Sequence, residues 1–381
     1  MSSQALKPPS ADHKLLALDG IRGVAILLVL IFHFTAWASE RVATSLERAT
    51  DIGQMGVDLF FVLSGFLITG ILADARGSQG YFVNFYARRS LRIFPLYYAV
   101  IGLVVFGGPL LAPHNDKLAE VTAQQGWLWG YTVNVAEAID NKWTFYGMNH
   151  FWSLDVEEQF YLVWPFLVAL LAPARMARLC LVMIVFALGL RLWLTIDGHW
   201  LASYALMPCR MDELAAGGYA ALLLRASPDP ARLMRPAAAV TIGCTVLTIF
   251  LLSPAAAWLP NAAVLLPTLL SGLFAGAHLV AVLQPARRVF RTALESSWLR
   301  LFGRYSYGLY VIHHPLRQLF EYLFPPITLA AWFHSPGLGA AAFTLLSVTL
   351  SLGMAMLSFH LFESPLLSLK RHFEYNRAAP A

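Results

Sequence analysis

Two ionisable residues, Arg22 and His33, interrupt the otherwise apolar stretch "LDGIRGVAILLVLIFHF". They stand eleven residues apart, which on an α-helix is three turns plus about 20°, with a rise of roughly 16 Å, so both fall on one face. An arginine near a helix end can snorkel to the boundary, whereas a histidine this deep in hydrocarbon asks for a protein partner or an aqueous cavity. The chemistry on offer is anion capture by the guanidinium, and general-base or nucleophilic work by the imidazole.

Other polar groups recur at the ends of apolar segments. "YARRSLRIFPLYY" carries Arg88, Arg89 and Arg92 at helical spacing, making a basic surface on the cytoplasmic side of the third segment, and Pro95 is expected to end or kink that helix. Guanidinium forks suit phosphate geometry, so this surface reads as phosphate capture or as a topology and lipid-contact signal. "GVDLFFVLSGFLITGIL" opens on Asp58, placed to cap the helix or orient another polar group, while Ser64, Gly65 and Gly70 suit close helix packing. "NHFWSLDVEEQFYLVWP" brings His150, Asp155, Glu157 and Glu158 to one helix end, with Ser153 as a candidate cap. Glu157 projects with Tyr161 and Trp164, and Glu158 lies about 100° away, so one can face a polar cavity and the other the headgroups.

Farther along, Arg210 and Glu213 are one turn apart and positioned to neutralise each other, and Tyr310 precedes His313 and His314 by three and four residues. No His-Glu-x-x-His motif, paired-cysteine clamp, nucleotide-binding glycine loop or Gly-x-Ser-x-Gly turn is present, so no metal is expected. Cys180, Cys209 and Cys244 read as packing thiols.

The elements that must position these groups are membrane helices. Hydrophobic residues make up 58% of the chain and charged ones 13%, against about 45–50% and about 25% in soluble domains. Breaks at proline, glycine and charge clusters predict an all-α polytopic bundle of about ten transmembrane helices, roughly at 21–39, 55–73, 94–112, 152–172, 178–197, 202–224, 236–252, 261–283, 305–324 and 337–362. Residues 126–143, aromatic but broken by charge, read as an interfacial segment. With both termini cytoplasmic, the outer segments carry only Arg41, Arg48, Lys117 and Lys142, and Arg191, Arg210 and Arg317 fall within spans. The other basic residues then lie inside, as the positive-inside rule requires. The net charge of +5 is therefore topological, and no nucleic-acid partner is expected. The domain reading is a cytoplasmic segment over 1–20, a membrane domain over 21–364 and a cytoplasmic tail over 365–381.

Taken in order, these stretches, together with "CRMDELAAGG", "SYGLYVIHHPL" and "FHLFESP", resemble the acyltransferase-3 family of membrane O-acyltransferases over nearly the whole chain. The resemblance implies transfer of an acyl group, commonly acetyl, from a cytosolic acyl-CoA to a hydroxyl of an envelope or exported carbohydrate, in a bacterial inner membrane. It marks Arg22 and His33 as essential, Arg89 and Arg92 as functional, and Glu157 in preference to Glu158. The resulting expectation has His33, Arg22 and Glu157 catalytic, Arg88, Arg89 and Arg92 on the CoA phosphates, and Asp58, His150, Tyr161, Arg210, Tyr310 and His314 supporting substrate. Some members add an extracytoplasmic hydrolase-like domain, and with only Lys370 to Ala381 after the last span, such a partner is expected to be a separate chain or absent. The outer loops, about 40–54, 113–150 and 325–336, are expected to carry acceptor specificity. The competing reading is a transporter or flippase of lipid-linked sugars, its path lined by Arg191, Arg210, Glu213 and His314.

Overall fold

The computed structural model describes residues 11–42, 51–283 and 292–375, and every regular element among them is helical. Residues 1–10 of the N-terminal segment and 376–381 of the tail lie outside the described residues, as do Arg48 and the inner-loop arginines Arg287, Arg288 and Arg291. Ten long helices account for the bundle: α1 (Ala11–Val42), α2 (Met55–Ala75), α3 (Tyr81–Gly102), α4 (Phe151–Leu170), α5 (Pro173–Ile196), α6 (Met207–Ala226), α7 (Met234–Leu252), α8 (Leu266–Leu283), α9 (Ser297–Leu323) and α10 (Pro336–Ser358).

Among the described residues, seven helical segments are long and apolar enough to cross a membrane, and they contain α1, α2, α3, α5, α7, α8 and α10. The chain is an integral membrane protein. The remaining three, α4, α6 and α9, carry Asp155, Glu157 and Glu158, Arg210, Asp212 and Glu213, and Arg304 and Arg317. Their apolarity is diluted by the side chains that make the interior polar, and most of those residues are buried among the other helices.

Small residues allow the two closest helix contacts. A Cβ at Gly65 of α2 would strike the Leu214 carbonyl of α6, and one at Gly217 the Val62 carbonyl, so these helices touch backbone to backbone. Gly23 of α1 meets the Leu299 carbonyl, and Gly303 of α9 meets that of Asp19, in the same way. Both pairs are parallel. Asp58 and Asp74 of α2 bond Arg210 and Arg225 of α6 in the same order, and an offset of 280 residues joins both His33 to His313 and Arg41 to Glu321 along α1 and α9.

Several expected boundaries shift. The third helix begins at Tyr81 and runs through Pro95, so Arg88, Arg89 and Arg92 lie on the membrane helix itself and Pro95 does not end it. The sixth segment divides into Trp200–Ala205 and α6, because Leu206 is extended (ψ 140) and Pro208 starts a new helix. The 126–143 region forms Gln125–Trp129 and Val133–Asp140, folded back on the bundle. Tyr131 stacks on Tyr97 at 4.0 Å, and the Asn134 amide donates to Asp155 Oδ2 at 3.2 Å. Asp155 is therefore a clamp for this segment.

Candidate active site

Arg22 of α1, Ser64 of α2, Arg89 and Arg92 of α3, Ser153, Glu157 and Tyr161 of α4, and Tyr307 and Tyr310 of α9 converge on one cavity enclosing about 800 Å³ with its mouth. Arg22 pairs with Asp19 at 2.5 Å, one turn below it. The Arg89 guanidinium sits 5.0 Å from the centre of the Tyr161 ring, and the Tyr161 hydroxyl bonds that of Ser64. Tyr307 donates to the Ile93 carbonyl, tying α9 to α3 beside Arg92. Three guanidinium groups thus face a cavity to which Glu157 contributes a carboxylate, an arrangement able to hold a polyanion.

The cavity ends at Tyr310. Its hydroxyl donates to the His150 carbonyl at 2.9 Å and lies 2.5 Å from Ser153 Oγ. Ser153, a candidate helix cap, instead lies inside α4, which starts at Phe151, and its hydroxyl also donates to the His150 carbonyl at 3.3 Å. Behind this pair, His33, His150, His313 and His314 pack ring against ring. His314 lies 5.0 Å from His33 and 4.9 Å from His150, and His150 lies 4.9 Å from His313. Among the described residues they form no group able to hold a metal ion.

Hydrogen bonds assign the tautomers. His313 Nδ1 is 2.7 Å from the Tyr310 carbonyl, and His33 Nδ1 is 3.0 Å from the Val29 carbonyl; carbonyls only accept, so both Nδ1 atoms carry the proton. His313 Nε2 then offers a lone pair to His33 Nδ1 at 3.3 Å, leaving the lone pair of His33 on Nε2. Arg317 donates to His314 Nε2 at 3.2 Å, so His314 also carries its proton on Nδ1.

The expected site residues therefore separate into groups. Arg22, Arg89, Arg92, Glu157, Tyr161 and Tyr310 share the cavity; His33, His150 and His314 share the histidine cluster, and Tyr310 stands between the two. Arg22 and His33 do not line one cavity, because α9 inserts Tyr310 alongside them. Arg88 points elsewhere, donating to the carbonyls of Lys370 at 3.1 Å and Phe373 at 3.3 Å. Asp58 and Arg210 form a buried ion pair of 2.7 Å, with Glu213 2.9 Å from the same guanidinium, behind the Phe61 wall. Glu158 turns inward: its Oε1 is buried without a hydrogen-bond partner, and it does not face the headgroups. Tyr307, Ser153, His313 and Arg317 complete the arrangement. The signal for three of them was the row Tyr307, Tyr310, His313 or His314, Arg317, whose spacing of three and four puts it on one face of α9.

Residues 15–356 match the family described as acyltransferase domain, Acyl_transf_3. The chain belongs to the acyltransferase-3 family. Peptidoglycan O-acetyltransferase OatA of Listeria monocytogenes is 28% identical over 373 residues, 92% of this chain and 55% of that protein. O-acetyltransferase OatA of Staphylococcus aureus is 24% identical over 373 residues, 92% of this chain and 56% of that protein. The chain thus spans about half the length of these relatives. No solved structure matches it.

Proposed function

We propose that this protein is a bacterial inner-membrane O-acetyltransferase that moves an acetyl group from cytosolic acetyl-CoA to a hydroxyl of an envelope carbohydrate. The observation that carries the reading is the pairing of a cavity bearing Arg22, Arg89 and Arg92 with a histidine cluster directly behind its Tyr310 wall. Membership of the family supplies the reaction class, and its peptidoglycan O-acetyltransferase relative supports a glycan acceptor.

With the N-terminus in the cytosol, the arginine end of the cavity faces the cytosol. Arg89 and Arg92 then hold the CoA phosphates, Arg22 lines the entry, and the pantetheine arm runs toward Tyr310. Movement of the Tyr310 ring admits the thioester to His33. His33 Nε2 takes the proton of the acceptor hydroxyl as its oxygen bonds the acyl carbon; the carbon–sulfur bond breaks, and the proton passes to the departing thiolate. Glu157 orients the groups at the cavity end. The same Nε2 lone pair also serves a two-step route through an acyl-histidine, which CoA release without acceptor would reveal.

The transporter reading loses its lining. Arg191 is held by both oxygens of Asp212, at 2.9 and 2.7 Å, and Arg210 by Asp58 and Glu213, so neither is available to a moving substrate.

The test is CoA release from radiolabelled acetyl-CoA by the purified protein in lipid discs, with and without a crude envelope-glycan fraction. Glycan-stimulated release that vanishes in a folded His33→Ala variant is expected. Wild type that neither binds acetyl-CoA nor releases CoA would refute the reading.

A further inference from the structure

Three arginines lie within the bundle helices at positions expected to be in the membrane, and they are not alike. Arg191 and Arg210 each contact a carboxylate, as above. Arg317 of α9 is 9% exposed, and among the described residues no carboxylate lies within ion-pair distance of it. The two acidic side chains nearby along α1 and α9, Glu40 and Glu321, contact Arg41 instead, at 3.5 and 2.5 Å. One face of the Arg317 guanidinium is covered by the Trp37 ring at 3.7 Å, its Nε is buried without a partner, and its single hydrogen bond goes to neutral His314.

A buried guanidinium with no carboxylate in contact is costly, and chains normally avoid it by pairing the group or leaving it in water. Here the deficit extends to its neighbours. His314 Nδ1, assigned above as a donor, and both nitrogens of His150 are also buried without partners. All of them surround His33 on the side away from the cavity arginines, since Arg317 lies seven residues beyond Tyr310, about 10 Å along the helix.

We propose that Arg317, with His314 and His150, is an acceptor subsite for an anionic group carried by the sugar that His33 deprotonates. The chemistry recognised is a carboxylate or a phosphate, either of which fits a guanidinium fork and an imidazole N–H. One imidazole, His314, separates Arg317 from His33. That spacing suits a hydroxyl and an anionic substituent on the same or the adjoining sugar ring. The site is distinct from the donor phosphate site, which lies at the other end of the Tyr307–Arg317 row. The acceptor class is therefore an acidic glycan, and this inference rests on the acyltransferase reading above.

The experiment uses the full chain in lipid discs and the crude envelope-glycan fraction in three forms: untreated, with its carboxylates chemically reduced to alcohols, and with its phosphates removed. Equilibrium binding and acetyl transfer are measured for wild type, Arg317→Gln and Arg317→Lys. Wild type is expected to lose tenfold or more in both on one of the two treated fractions, which names the anion. Arg317→Gln should fall to that lower level on the untreated fraction and become indifferent to the treatment, with Arg317→Lys in between. Arg317→Gln should also raise the melting temperature, because it removes an unpaired buried charge, whereas loss of a purely structural contact would lower it.

Wild type indifferent to both treatments, or Arg317→Gln still discriminating the charged from the neutralised glycan, would overturn the proposal. Binding needs no turnover, so charge-dependent binding lost in Arg317→Gln without any acetyl transfer would support the anion site while counting against the acyltransferase reading.

Discussion

His33 Nδ1 lies 3.3 Å from His313 Nε2, and the direction of that hydrogen bond is set from the far side of His313, whose Nδ1 donates to the Tyr310 carbonyl at 2.7 Å. Backbone geometry on α9 thereby dictates which nitrogen of a side chain on α1 can act as a base. His313→Phe keeps a ring in the buried site but removes the acceptor, so kcat is expected to fall about tenfold to a hundredfold, within the range general-base catalysis spans. His313→Gln, which can present an oxygen to His33, should recover part of it. Steady-state kinetics at saturating acetyl-CoA decides this, and a His313→Phe enzyme with wild-type kcat would end the argument.

Neighbouring arginines should behave differently. Arg89→Gln and Arg92→Gln are expected to raise the acetyl-CoA KM by tenfold or more, each removing a guanidinium from the cavity. Arg88→Gln should leave that KM within about twofold while freeing the carbonyls of Lys370 and Phe373, seen as faster amide exchange across residues 369–375. Equal KM effects at all three positions would contradict the separation.

At Gly303, where α9 meets the Asp19 carbonyl of α1, alanine has no room. Gly303→Ala is expected to lower stability by about 1–3 kcal/mol, the usual cost of overpacking. It should also reduce activity, because the contact sets the register that brings His33 to His313. Gly353→Ala, at a position with open space, is the control and should melt like wild type.

Glu137, in the folded-back segment outside the long helices, is fully buried. Burial, and then the nearby Asp155 carboxylate, pushes it from the ordinary 4.5 up to about 9. The folded state therefore holds a proton that the unfolded chain releases. Its stabilising contribution is complete below pH 4.5, declines as pH rises, and is gone above about 9. Glu137→Gln should match wild type in melting temperature near pH 4.5 and exceed it increasingly toward pH 8.5. A constant difference across that range would show that Glu137 does not titrate this way.

Much of this was legible along the chain. The apolar runs mark the helices because a bilayer leaves the backbone no other way to satisfy its hydrogen bonds, and, α3 apart, each long helix falls within a few residues of an expected span or extends one. The start of α3 was misplaced because Arg88, Arg89 and Arg92 looked too polar for a membrane helix, and the cavity that receives two of them is built by other helices.

What the sequence determined by itself is local: helical elements, the membrane as solvent, and the shared face of Arg22 and His33, all consequences of composition and a period of 3.6 residues. Only the tertiary structure decided who meets whom. Parallel packing of α1 on α9, at an offset of 280 residues, sets Tyr310 beside the path from Arg22 to His33, hands His33 its histidine partner, and leaves Arg317, among the described residues, with no carboxylate in contact. These pairings depend on how close two backbones approach at Gly23 and Gly303, and contacts so distant in sequence leave no periodic trace in it.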